Sequence, residues 1–214
     1  MSHAPSTPGA PLQASLFGDG EPRVDPRLAG IRRTELAHGA WVDHLPNWLR
    51  GEQTLFDRIV DDTSWHAGRR AMYDRMVDVP RLTAGLPRDG PIPPTLRLIA
   101  RLLTERYGEP CRRIGLAWYR DGGDSVAPHG DQVAREMDTT VMATVSCGAR
   151  RRFLLSPAES ARDGGGRSVS FDLGRGDLLV MGGTIQRTWR HRVPKTARPV
   201  GPRLCIMFRP PWLG

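Results

Sequence analysis

The chain has 214 residues, 39% hydrophobic and 25% charged, enough for one soluble domain with a sizeable core. No stretch approaches the apolar length of a membrane helix, and the start lacks the charged-then-apolar pattern of a secretory signal, so neither is expected. The net charge is +8, but of 31 basic residues only Lys195 is a lysine; with 24 Gly and 19 Pro this reads as GC-rich codon usage, and charge alone leaves a nucleic-acid partner open.

Residues 1–26 hold five prolines and few apolar residues, and are expected to form a mobile N-terminal segment, with the folded domain spanning 27–214. Trp41 to Leu45 predicts a short strand. From Pro46 to about Val60, Trp48, Leu49, Leu55, Phe56, Ile59 and Val60 recur at helical spacing. A second helix is predicted over Thr95–Tyr107, where Leu96, Ile99, Ala100, Leu102 and Leu103 form one stripe behind Pro93 and Pro94.

After Pro110 the pattern changes to strands: Ile114–Tyr119, Thr139–Ser146, Arg152–Leu155, Ser168–Asp172, Asp177–Met181 and Arg203–Phe208. Gly, Pro and charged turns separate them. Ala161 to Arg167 is a glycine-rich loop with no GK[ST] after it, so it is not a phosphate loop. Helices followed by many short strands predict an α+β, mainly β fold with a sandwich or barrel core. Cys111, Cys147 and Cys205 are widely spaced and odd in number, which suggests neither a disulfide framework nor a zinc site; a cytoplasmic protein is expected.

Two patterns carry chemistry. His129 and Asp131 form an HxD pair, and in an extended segment residues i and i+2 point the same way. Such a pair presents an imidazole and a carboxylate to one metal ion, although alone it is equally a solvated turn. His191 is the only histidine downstream, and two histidines with one carboxylate leave open positions of the kind used by non-haem Fe(II) oxygenases. Arg203 and Arg209 lie six residues apart on the last strand, hence on one face, with Leu204, Ile206 and Phe208 on the other. That face is either a polar exterior or a double anion clamp, for which the rigid arginine fork is suited.

With these residues in place the sequence resembles the AlkB family of Fe(II)/2-oxoglutarate-dependent dioxygenases. The likeness runs over roughly residues 30–210 and is clearest from Trp118 to Arg209. The family's HxD…H set falls on His129, Asp131 and His191, its R-x5-R clamp on Arg203 and Arg209, and its strand tyrosine on Tyr119. Gly176–Gly183 matches the strand before the distal histidine, the 11 residues between His191 and Arg203 match a family spacing, and Val79-Pro80-Arg81 resembles the recognition-lid segment.

The resemblance implies a double-stranded β-helix, or jelly-roll, with N-terminal helices and a nucleotide-recognition lid. It implies Fe(II) on His129, Asp131 and His191, and 2-oxoglutarate as co-substrate. Arg203 would hold the distal carboxylate, Arg209 the carboxylate near the metal, and Tyr119 would add a hydrogen bond. With O2, the co-substrate is decarboxylated to succinate and CO2, and an N-methyl group on a base of alkylated DNA or RNA leaves as formaldehyde. A flipped or single-stranded base, stacked beside His129, and a monomeric enzyme are expected.

The basic runs Arg150–Arg152 and the acid-free stretch after Asp177 are candidate backbone contacts. Ala117 and Cys205 stand where the family often carries asparagines, and Val133 where it carries an acid that reads the base. Trp65, Tyr73 and Trp118 are the available stacking aromatics, although at helical or strand spacing an aromatic is more often core than platform. A same-fold dioxygenase acting on a protein or small molecule is the alternative. A non-catalytic nucleic-acid-binding module would have no need for both the triad and the arginine pair.

Overall fold

The computed structural model describes residues 20–72, 75–86, 90–108, 111, 113–131, 137–159 and 166–211, with backbone only over 69–72 and 75–79. Most of the N-terminal segment, Tyr73, Val133 and most of the Ala161–Arg167 loop lie outside these residues. Fourteen strands and three α-helices are described. In chain order they are β1 (Arg23–Val24), β2 (Arg32–Glu35), β3 (Ala40–Leu45), β4 (Leu49–Arg50), α1 (Glu52–Asp62), β5 (His66–Met72), β6 (Arg75–Gly85) and α2 (Pro94–Tyr107). There follow β7 (Arg113–Tyr119), β8 (Val126–His129), β9 (Thr140–Gly148), β10 (Arg151–Pro157), β11 (Val169–Leu173), β12 (Asp177–Gly183), α3 (Ile185–Thr188), β13 (Trp189–Val193) and β14 (Arg203–Arg209).

An eight-stranded antiparallel sheet runs β2-β3-β12-β9-β14-β7-β6-β5, and a four-stranded one runs β11-β10-β13-β8. Strand alternation divides the apolar residues between two cores. On the large sheet, Leu116, Val145, Leu178, Leu204, Ile206 and Phe208 face α1 and α2. Their neighbours Ala117, Tyr119, Leu179 and Cys205 face Phe153, Leu155, Trp189 and Val193 of the small sheet. Two antiparallel sheets packed around an interior make the double-stranded β-helix, with both longer helices on the outer face of the large sheet.

The second helix forms over Pro94–Tyr107, with proline in its first turn and Gly108 closing it at φ 73°. The first begins later than its apolar spacing predicts. Asn47 and Gly51 both have left-handed φ, 50° and 65°, which no helix tolerates, so residues 46–51 form a turn and β4 instead. Trp48 and Leu49 are core residues of that turn. Glu52, in the first turn of α1, accepts the Gly148 N–H at 2.7 Å and pins the helix to the end of β9.

Residues 20–26, the described part of the segment expected to be mobile, have partners in the fold. Arg23 and Val24 pair with β4 as β1, Glu21 takes both Arg58 nitrogens, and the Asp25 carbonyl accepts the Trp48 indole N–H at 2.8 Å. These contacts fix residues that composition alone marks as loose.

The edge of the large sheet is held by one polar knot. Arg33 donates two bonds to Asp43, at 2.7 and 2.8 Å, and lies 3.8 Å over the Trp41 ring. The Tyr107 hydroxyl, at the end of α2, donates to the same carboxylate at 2.9 Å. Burial, then that bond to Asp43, raises the Tyr107 pKa, so the phenol stays protonated. Trp41 lies so close against β12 that a Cβ at Gly182 would fall inside its indole.

Candidate active site

Between the sheets lies a cavity of about 330 Å³ whose lining includes His129, Asp131, His191, Arg203, Arg209 and Tyr119. The structure therefore brings together all six residues singled out from the sequence. His129 ends β8 and His191 sits in β13, and the two are register partners across the small sheet. Asp131 follows two residues later, just past the strand. One ligand atom from each of the three lies within 4.8 Å of the others, and His129 Nε2 is 3.7 Å from Asp131 Oδ1.

Hydrogen bonding decides the tautomer of His129. Its Nδ1 is 2.9 Å from the Ala127 carbonyl, which can only accept, so Nδ1 carries a proton and Nε2 is the ring nitrogen left to the cluster. His191 is buried against Phe153, ring centroids 5.7 Å apart. Burial, reinforced by His129, pushes its pKa down to about 3, so the ring is neutral at physiological pH. Two imidazoles and one carboxylate on one side of a cavity form a donor set suited to a divalent transition metal with positions left for other ligands.

The arginines occupy different parts of the cavity. Arg209 Nη2 is 3.6 Å from Asp131 Oδ1, beside the triad. Arg203 is 1% exposed, opposite Tyr119 on β7, with its Cζ 5.3 Å from that ring. Its Nη2 donates to Ser146 Oγ at 2.7 Å, while Nε and Nη1 are buried with no partner among the described residues. A buried guanidinium with two unfilled donors calls for an anion. A carboxylate meets that need, so the residues present fit a dicarboxylate co-substrate spanning from Arg203 to the triad. Burial raises the Tyr119 pKa, so its hydroxyl remains a donor.

Other residues of the site left weaker marks in the sequence. Ala117 and Cys205, where the family often has asparagines, prove to be cross-strand partners on β7 and β14. Thr144 and Ser146 on β9 bring hydroxyls beside them: Thr144 Oγ1 is 3.6 Å from Cys205 Sγ, and Ser146 holds Arg203. Both alternate inward within the Thr139–Ser146 run, a signal visible only once the interior face is known.

Arg81, from the lid-like segment, lines the cavity from β6 and donates to the Ser125 carbonyl at 3.3 Å. Trp65 and Trp118, offered as stacking platforms, pack on one another at 5.4 Å and belong to the helix-side core. That placement follows the core alternative: strand alternation turns Trp118 away from the cavity that Ala117 and Tyr119 line.

Only part of the basic run Arg150–Arg152 is available to a partner. Arg151 is buried and donates to the carbonyls of Asp121, Asp124 and Pro194, at 2.7, 2.8 and 2.8 Å. Burial and then Arg203 lower its pKa. Arg150 pairs with the buried Asp177 at 2.8 Å. Within the acid-free stretch, Arg187 pairs with Asp138 and Arg190 bonds to backbone carbonyls, while Arg192, Lys195 and Arg198 are exposed.

Comparison with known proteins agrees with this geometry. The chain is 27% identical over 219 residues to the alpha-ketoglutarate-dependent dioxygenase alkB homolog 3 of Bos taurus, covering 94% of this chain and 73% of that protein. It is 25% identical over 219 residues to the DNA oxidative demethylase ALKBH2 of Arabidopsis thaliana, covering 85% and 70%. Among solved structures, that of OsALKBH1 superposes with a TM-score of 0.55 at 16% identity, over 84% of this chain and 100% of that one, and so supports the fold. Residues 86–209 match the family described as the 2OG-Fe(II) oxygenase superfamily. The chain belongs to that superfamily, and the curated relatives it resembles within it are AlkB-type dioxygenases.

Proposed function

We propose that this chain is an Fe(II)- and 2-oxoglutarate-dependent dioxygenase that removes N-alkyl groups from the bases of DNA or RNA. The observation that carries the reading is a His-Asp-His cluster and a buried arginine with two unfilled donors opening on one cavity. His129 Nε2, one Asp131 oxygen and one nitrogen of His191 would hold the iron. Bound iron with 2-oxoglutarate and O2 supplies the oxidising power that hydroxylates an N-alkyl carbon, with release of succinate, CO2 and an aldehyde.

The rest is the work of side chains. Arg203, held by Ser146, and Tyr119 would bind the distal end of the co-substrate, and Arg209 its metal-proximal carboxylate while also steadying Asp131. The neutral state of His191 means no proton must leave before it can ligate. Val126, Met142, Phe153, Met181, Val193 and Met207 make the rest of the lining largely apolar and keep water from the reacting carbon. The β5–β6 hairpin, which brings Arg81 and Thr83 to the cavity, would be the lid that receives the flipped base. Relatives named as DNA oxidative demethylases favour the nucleic-acid substrate.

The test is turnover by the purified chain with Fe(II) and 2-oxoglutarate, using oligonucleotides with and without N1-methyladenine or N3-methylcytosine. Formaldehyde and succinate should form in equal amounts only with the methylated strands, and Asp131→Ala should abolish both. Equal succinate production with and without methylated strands would refute the substrate assignment.

A further inference from the structure

The two histidines and the carboxylate of the cluster are held in different ways. His129 and His191 lie in paired strands, so the β8–β13 ladder sets their separation. Asp131 lies beyond the end of β8, and among the described residues no ladder bond fixes it. Its backbone N–H instead donates to the side-chain Oε1 of Gln186, 55 residues away, at 2.9 Å. A backbone N–H needs an acceptor, so the amide orientation is chemically determined.

Gln186 lies in α3, the short helical turn leading into β13 and His191. It is 3% exposed. Its Nε2 is buried with no partner among the described residues, so a glutamine here carries a desolvation cost that an apolar residue would avoid. The acceptor oxygen is what the position uses. The loop also rests on Gln186 through the backbone: a Cβ at Gly130 would collide with the Gln186 carbonyl oxygen. The ligand loop and the turn before the distal histidine are thereby seated directly on one another.

We infer that Gln186 is a positioning residue for the metal site, fixing Asp131 relative to His129 and His191 by accepting its backbone N–H. The inference rests on the reading of these three residues as the metal ligands. Without the acceptor, the Asp131 N–H loses its partner, and the carboxylate no longer starts from a fixed place. The consequence falls first on metal affinity and ligand geometry, before any effect on substrate.

The test uses the full, metal-free chain titrated with Co(II) under argon, reading affinity and the visible d–d bands. Gln186→Met keeps the volume and removes the acceptor; Gln186→Glu keeps an acceptor oxygen at the same reach. Gln186→Met should weaken Co(II) binding about 10- to 100-fold and alter the d–d bands, as loss of an outer-sphere partner does. Gln186→Glu should stay within about tenfold of the unmodified chain, taking the low end of that range as the limit. Unchanged affinity and spectrum in Gln186→Met, or equal loss in both variants, overturns the role of Gln186. Should Gln186→Met fail to fold, the comparison of Gln186→Glu with the unmodified chain decides: retained affinity and bands support the acceptor role, and their loss overturns it. Absence of Co(II) bands in the unmodified chain would instead overturn the assignment of the triad, and the inference with it.

Discussion

Replacing Arg203 by methionine should have opposite effects on the empty protein and on co-substrate binding. Among the described residues the guanidinium makes one side-chain bond, to Ser146, and leaves Nε and Nη1 buried without partners. Each unfilled buried donor costs about 1–3 kcal/mol, whereas the bond to Ser146 contributes about 1.5–3 kcal/mol. Removing the cation therefore leaves the empty fold equally stable or more so, in line with buried charges replaced by apolar groups of similar size.

The co-substrate side runs the other way. Two charge-assisted bonds at about 1.5–3 kcal/mol each correspond to a loss of roughly 10²- to 10⁴-fold in affinity. The assay is thermal unfolding with Mn(II) in place of iron under argon. At 2-oxoglutarate a hundredfold above Kd, the unmodified chain should gain about 2.7 kcal/mol, or roughly 5–10 °C in Tm. Arg203→Met should gain at most about 0.4 kcal/mol, roughly 1–2 °C, at that concentration, while its Tm without co-substrate matches or exceeds that of the unmodified chain. A variant that loses several degrees in the empty state and still responds to 2-oxoglutarate would refute the clamp and make Arg203 a structural strut.

Three further outcomes follow from the same geometry. Gly182→Ala should lower stability by at least about 3 kcal/mol, since its methyl would enter the Trp41 ring, and adding Trp41→Ala should recover part of the loss in chemical denaturation. Tyr107→Phe removes a hydrogen bond to the Asp43 carboxylate and should cost about 1.5–3 kcal/mol in the same assay. His44 is held below the ordinary histidine value of 6.5 by burial, with Arg150 lowering it further and Asp177 opposing, and its Nε2 has no partner among the described residues. Because the folded state binds fewer protons there than the unfolded one, its contribution is intact above pH 6.5 and is lost as the pH falls toward the depressed value. Tm should therefore drop between pH 7.5 and 5.5, less steeply in His44→Gln; identical slopes would show that His44 is not the group responsible.

Much of this molecule could be read along the chain. Alternation in Arg203–Arg209 separates Leu204, Ile206 and Phe208 from the two arginines because a strand has only two faces. The HxD spacing and the lone downstream histidine are properties of order and residue type, and pairing in space left them unchanged. The prolines before α2 and the stripe behind them likewise needed only local geometry.

What depended on distance in space did not appear in the sequence. The β5–β6 hairpin has no clean apolar alternation, and its pairing comes from β7 beside it. Trp118 resembles any exposed aromatic until its strand is placed and turns it toward the helices. Arg151 reads as one of three surface cations, yet three carbonyls from two distant loops enclose it. Gln186 carries no motif at all, and its role exists only because the chain returns it to the Asp131 N–H. Spacing selected which residues could face the interior; the close approach of β8, α3 and β14 decided which atoms there are filled and which await a ligand.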